Sequence, residues 1–155
     1  MQVFNSPLKF KLFLISKLPM AWIAGLKKLD LTSERAVVGV KYGYWTQNPF
    51  RSMYFAVLAM AAELSTGLLV LSQVYKSGKN ISTLVYKMQA DFNKKAVGKI
   101  RFICDDGPLL QATIQKAIDT GEGQTLEMTS IGYNENNEQV AKFVITWSMK
   151  VKSKS

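Results

Sequence analysis

Between Met53 and Leu71 (MYFAVLAMAAELSTGLLVL) the chain runs for 19 residues with a single charged side chain, Glu63. A helix that is apolar on every side belongs either in a membrane or at the centre of a fold. The length approaches the roughly 20 residues that a membrane crossing needs. Glu63 at mid-span, Ser65, Thr66 and Gly67 close behind it, and flanking segments that read as ordinary strands favour the second place. Asn48-Pro49 has the chemistry of a helix start, since Asn accepts from first-turn amides and Pro suits the first helical position. Ser77-Gly78 is the stop. The central helix is therefore expected over residues 49–75, about 40 Å of helix at about 1.5 Å per residue.

Strand patterns surround that helix. Ala36, Val38, Val40, Tyr42 and Tyr44 alternate with small or polar residues, and so do Ile100, Phe102 and Cys104. Leu84, Tyr86, Met88, Ala90 and Phe92 form a third set, and Ala141, Phe143, Ile145, Trp147 and Met149 the clearest one. Leu126 and Met128 open another strand, which ends in the polar turn Asn134–Asn137, and a further strand is expected around Gly25–Ser33. Period-two alternation predicts strands with one buried and one wetter face, the habit of an antiparallel sheet. A shorter helix fits Pro108–Thr120, with Asp105-Asp106 expected to cap it and Gly121 to end it. The result is an α+β domain in which about six antiparallel strands curl round one long apolar helix.

All 155 residues are expected to form one domain. Leu8, Lys11, Leu12, Ile15 and Leu18 keep helical spacing, which predicts an amphipathic helix over residues 3–18, stopped by Pro19. Packing of that helix on the domain is favoured over association with a membrane surface. Lysines punctuate the segment, so it does not read as a secretory signal, and with one cysteine the expected compartment is the cytoplasm.

Composition narrows the chemistry. The chain has no histidine, which removes Ser-His-Asp and Cys-His catalysis, and its single cysteine, Cys104, removes Cys/His zinc sites and intrachain disulfides. Acid–base work falls to carboxylates, Tyr or Lys, and no cofactor or metal is expected. The net charge is +9, yet the basic residues are scattered, so the pattern suits phosphorylated small ligands rather than nucleic acid.

Glu63 stands out within this frame. A carboxylate in apolar surroundings must find a donor or hold its proton to a higher pH, which makes it a candidate general base or nucleophile. A salt bridge at a subunit interface and a solvent-facing position are the competing readings. The start of the same helix offers free amides and a positive dipole end for a developing oxyanion. Asn48 reads either as a cap or as a donor to a substrate carbonyl.

A long apolar helix gripped by a curled antiparallel sheet resembles the hotdog fold. Many hotdog acyl-CoA thioesterases, the phenylacetate-pathway type among them, carry an Asn, then His-Gly-Gly six residues later, then Asp or Glu nine residues after the His. Asn48, Tyr54-Phe55-Ala56 and Glu63 keep those intervals, with Tyr54 in place of the His and Phe55-Ala56 in place of the glycines. Ala62–Gly67 and Phe92-Asn93-Lys94-Lys95-Ala96 are similar to a branch of that superfamily. The resemblance implies hydrolysis of an acyl thioester such as acyl-CoA. Glu63 would be base or nucleophile, Asn48 would orient the nucleophile or carbonyl, and amides near Tyr54, Phe55 and Ala56 would face the oxyanion. Lys94 and Lys95 would meet the CoA phosphates. It also implies a homodimer, with a tetramer as a further step, because Glu63 lies too far along the helix from Tyr54 to share one carbonyl with it. The alternative is a non-catalytic relative that binds an acyl chain or lipid.

Overall fold

The computed structural model describes residues 6–152. In chain order its elements are α1 (Pro7–Lys17), α2 (Pro19–Ile23), β1 (Lys27–Leu31), β2 (Ala36–Lys41), a 3-10 turn (Tyr44–Thr46), α3 (Phe55–Ser77), β3 (Ile81–Phe92), β4 (Lys99–Cys104), α4 (Gly107–Thr120), β5 (Gln124–Tyr133) and β6 (Gln139–Val151). The strands make one six-stranded sheet in the order β1-β2-β4-β5-β6-β3 with every neighbouring pair antiparallel.

Alternation places the core. Ala36, Val38 and Val40 on β2, Ile100, Phe102 and Cys104 on β4, Met128 on β5, and Phe143, Ile145, Trp147 and Met149 on β6 are buried on the face that wraps α3. Helix α3 is long and apolar enough to cross a membrane, but it buries 13 of its 23 residues and serves as the core of the domain. It ends at Gly78, whose φ of 64° is the left-handed conformation that suits glycine.

Three polar side chains anchor α3 in its apolar trough. The Ser65 hydroxyl lies 2.7 Å from that of Ser130 on β5. Trp147 Nε1 donates to Thr66 Oγ1 at 3.0 Å. Gln73 Nε2 donates to Ser33 O at 2.9 Å and Gly107 O at 2.8 Å, tying the β1–β2 loop and the start of α4 to the helix. Gly107 has no substitute in that junction, because a Cβ there would stand 2.2 Å from Ser33 O.

Four expectations need correction. The central helix begins at Phe55, not at Asn48-Pro49, because Asn48 folds its own loop: its Oδ1 accepts from the amides of Phe50 (2.9 Å) and Ser52 (3.3 Å). Arg51, with φ 58°, completes the tight reversal. The N-terminal helix is Pro7–Lys17, residues 3–5 of the expected range lie outside the described residues, and Pro19 opens a second short helix. Helix α1 packs on the domain through Phe10 and Leu14, which are buried, and not through the expected stripe, whose Leu8, Leu12 and Ile15 are exposed. On β3 the alternation does not bury its apolar set: Leu84, Tyr86 and Phe92 are exposed, a bulge shifts the register between Val85 and Lys87, and the strand lies at the edge of the sheet. Asp106 precedes α4 without capping it, because its carboxylate accepts the Thr129 amide at 2.6 Å instead.

Candidate functional site

The helix start is built from the loop upward. Tyr54 N donates to Thr46 O and Met53 N to Ala96 O, both at 2.8 Å, which pins the chain just before α3. Tyr54 occupies the cap position with φ −64° and ψ 133° and has no side chain able to accept the first-turn amides. Val57 N and Leu58 N turn to Tyr54 O. Phe55 N and Ala56 N are left without an acceptor among the described residues. These are two unspent donors at the positive end of a 23-residue helix.

At this end of the helix lies a cavity of about 660 Å³ lined by Asn48, Phe50, Tyr54, Phe55, Leu58, Phe92, Lys94, Lys95 and neighbouring residues. Phe55 and Phe92 meet edge to face at 6.5 Å, and Phe92 in turn meets buried Phe143 at 5.7 Å. Lys94 Nζ pairs with Glu138 at 2.6 Å, and that ammonium holds the Glu138 carboxyl below its ordinary range. Lys95 Nζ donates to Phe50 O at 3.1 Å and has no carboxylate partner among the described residues. Asn48, expected to orient nucleophile or carbonyl, spends its Nδ2 on Ser52 Oγ (3.1 Å) and Met53 O (3.3 Å). It shapes the wall of this cavity.

Glu63 lies elsewhere. It borders a separate cavity of about 230 Å³ with Lys17, Leu18, Met20, Met60 and Leu64, where the α1–α2 bend crosses α3. Its carboxylate has no hydrogen-bond or ion-pair partner among the described residues, and burial pushes its pKa up. Within one chain Glu63 stands seven residues beyond Ala56 and eight beyond Phe55, about 10–12 Å along the helix axis. The structure therefore joins Asn48, Tyr54, Phe55, Lys94 and Lys95 around one cavity, does not bring Ala56 into its lining, and leaves Glu63 in another. Cys104 is no rival nucleophile, because burial pushes its thiol up to about 12.

Sequence reasoning did not single out Leu58 as a wall of the first cavity, nor Gly67 beside Glu63. A Cβ at Gly67 would stand 3.2 Å from Glu63 Oε1, so the missing side chain makes room for the carboxylate one turn earlier. The available signal was a glycine four residues after the only acid of an apolar helix. Gly67→Ala is expected to raise stability by up to about 1 kcal/mol through helix propensity, while pushing the Glu63 carboxylate aside by a few tenths of an ångström. A thermal melt checks the gain.

A six-stranded antiparallel sheet curled round one long apolar helix is the hotdog fold. The chain belongs to the family described as Domain of unknown function (DUF4442), which it matches over residues 8–149. No curated protein matches it in sequence. Among solved structures it is similar to a Pseudomonas aeruginosa protein of unknown function described as a probable thioesterase, with a TM-score of 0.80 and 21% identity over 95% of this chain and 97% of that one. It is also similar to a Staphylococcus aureus thioesterase enzyme (TM-score 0.66, 11% identity, 85% and 98% covered). A third is the PaaI protein of the E. coli phenylacetic acid degradation operon (TM-score 0.65, 14% identity, 90% and 89% covered). At these identities the likeness carries the fold.

Proposed function

We propose that the protein hydrolyses an acyl thioester, acyl-CoA in particular, as a homodimer with two composite sites. The observation that carries the reading is the division of labour along α3: a desolvated, unpaired carboxylate at Glu63 and two unspent amides at Phe55 and Ala56. A two-fold axis runs the partner's α3 antiparallel to this one and brings each carboxylate to the other chain's helix start. The free edge of β3 supports such pairing. It is 12 residues long and exposes Leu84 (64%), Tyr86 (72%) and Met88 (40%), an apolar edge of the kind that natural chains cover.

In this site Glu63 draws a proton from water as the water oxygen adds to the thioester carbonyl, or attacks that carbonyl itself. The amides of Phe55 and Ala56 receive the oxyanion. The carbon–sulfur bond then breaks and the thiolate leaves with a proton; by the first route the acid is released directly, and by the second a water opens the mixed anhydride left on Glu63, so a carboxylate and a free thiol are the products of both. Asn48 holds the loop that forms the wall, Tyr54 and Phe55 flank the acyl group, and Lys95, with Lys94 beside it, faces the CoA phosphates. The lone thiol of Cys104 fits the reducing cytoplasm as the working compartment.

A second reading has its own observation. The Phe55 ring stands at the cavity beside Phe92 where the resembling enzymes have glycine, which favours a protein that holds an acyl chain without turning it over. Thiol release from short-, medium-, long-chain and aryl-CoA thioesters separates the two. Hydrolysis of any of them supports the enzyme and names its acyl class. Silence across the panel, with a fatty ligand retained, leaves the binding protein.

A further inference from the structure

Helix α1 is apolar on two opposite sides. Phe10 and Leu14 are buried against the domain, whereas Leu8 (67%), Leu12 (56%) and Ile15 (41%) are exposed. At about 100° per residue the exposed three occupy an arc of about 60°, with Lys11 on one flank and Lys9 on the other, and the buried pair opposite. Past the bend at Leu18, helix α2 exposes Met20 (63%), Trp22 (42%) and Ile23 (44%). The charge on this segment has one sign. Five lysines and no acidic residue precede Asp30.

We propose that the outer face of α1 and α2 docks on an anionic lipid surface, with Leu8, Leu12 and Ile15 entering the headgroup boundary between Lys9 and Lys11. A narrow apolar stripe bordered by lysines is the pattern of a helix that lies in the plane of a bilayer. Lysines next to such a surface are drawn to anionic headgroups, and an indole such as Trp22 suits the interface, being apolar with one donor. A second copy of the chain is the poorer occupant, because a two-fold contact through this face would set lysine-rich surfaces against each other.

The docking stands without the thioesterase reading. Only its use rests on that reading: Lys17 and Met20 of the same segment line the Glu63 cavity, so docking would bring that cavity close to acyl groups held in lipid.

Co-sedimentation of the full chain with phosphatidylcholine vesicles, with and without phosphatidylglycerol, tests the proposal. The chain is expected to pellet with the anionic vesicles. Binding should fall about tenfold when salt shortens the Debye length from about 10 Å to about 3 Å. Leu8→Asp with Leu12→Asp, and separately Lys9→Gln with Lys11→Gln, should each weaken binding about tenfold or more while the melting temperature and elution volume stay unchanged. Equal binding to neutral vesicles, no binding by the unaltered chain, or retention by both variants overturns the proposal. A shift in elution volume for the Leu8/Leu12 variant also overturns it, by making the face a subunit contact. None of these readouts uses turnover, so failure here and failure of the thioesterase reading are distinguishable; short-chain acyl-CoA hydrolysis by the Leu8/Leu12 variant should match that of the unaltered chain.

Discussion

On the proposed mechanism Glu63→Gln is expected to lower thioester turnover by about 10²–10⁴-fold, the usual worth of a positioned general base, and to raise the melting temperature at neutral pH. Both effects come from one cause. Burial disfavours the ionised carboxylate, and no cation or donor offsets that among the described residues, so the folded-state pKa lies above the unfolded one. Between the two values the folded chain binds the extra proton, and stability falls as pH rises through that window and then levels off. Gln carries no charge to desolvate, so the variant escapes the loss. Its stability advantage should vanish below about pH 4, where the carboxyl is protonated folded or unfolded. On the proposed mechanism the active form is the ionised one, so kcat/KM of the unaltered chain should climb with pH through the raised pKa. Melts and rate profiles on both proteins check the four curves. A destabilised Glu63→Gln would mean that the carboxylate has a partner after all.

Phe55→Pro should cost about 10²–10³ in kcat, the loss seen when one oxyanion donor is removed. The substitution is a clean deletion of an amide. Proline is tolerated in the first helical turn, where its missing N–H has no intrahelical partner. The residue before a proline must be extended, and Tyr54 already is, at φ −64° and ψ 133°. Phe55→Ala is the control for the ring, and it should retain most of the rate, because it keeps the donor. The pair of inactive variants then reads the composite site. When Glu63→Gln and Phe55→Pro chains are mixed and allowed to exchange, half the dimers are hybrids, each with one intact site of two, so activity returns to about a quarter. A site contained within one chain would show no recovery.

Sheet membership was largely legible because alternation reports burial directly: the buried sets on β4 and β6 are those the period-two pattern marks, and on β2 the pattern holds through Val40, after which the strand ends and Tyr44 is exposed. The helix start was not, because Asn-Pro signals a turn as readily as a cap. Which it becomes depends on whether the amides of Phe50 and Ser52 reach Asn48, a matter of loop closure rather than spacing. The edge strand β3 misled for a related reason. A strand with no neighbour on one side can leave apolar residues outside, and position in the sheet is not written in the strand. In the site, Glu63 announced itself as the one acid of an apolar helix. Its lack of a partner, the cleared space at Gly67 and the unspent amides are properties of the folded neighbourhood, visible only once the chain is assembled.

The bonds of Ser65, Thr66 and Gln73 have a consequence beyond satisfying polar groups. A smooth greasy cylinder in a greasy trough has many seats of similar energy, related by a small rotation or a slide of one residue. Each such move would strand a buried hydroxyl or amide, a cost of about 1–3 kcal/mol apiece. Ser65 indexes the cylinder against β5, Thr66 against β6 and Gln73 against the β1–β2 loop and the start of α4 at its far end, so rotation and slide are both stopped. Thr66 also donates to Glu63 O at 3.0 Å. The notches that select one seat thereby decide which way the carboxylate faces, and a hydrophobic core becomes an aiming device.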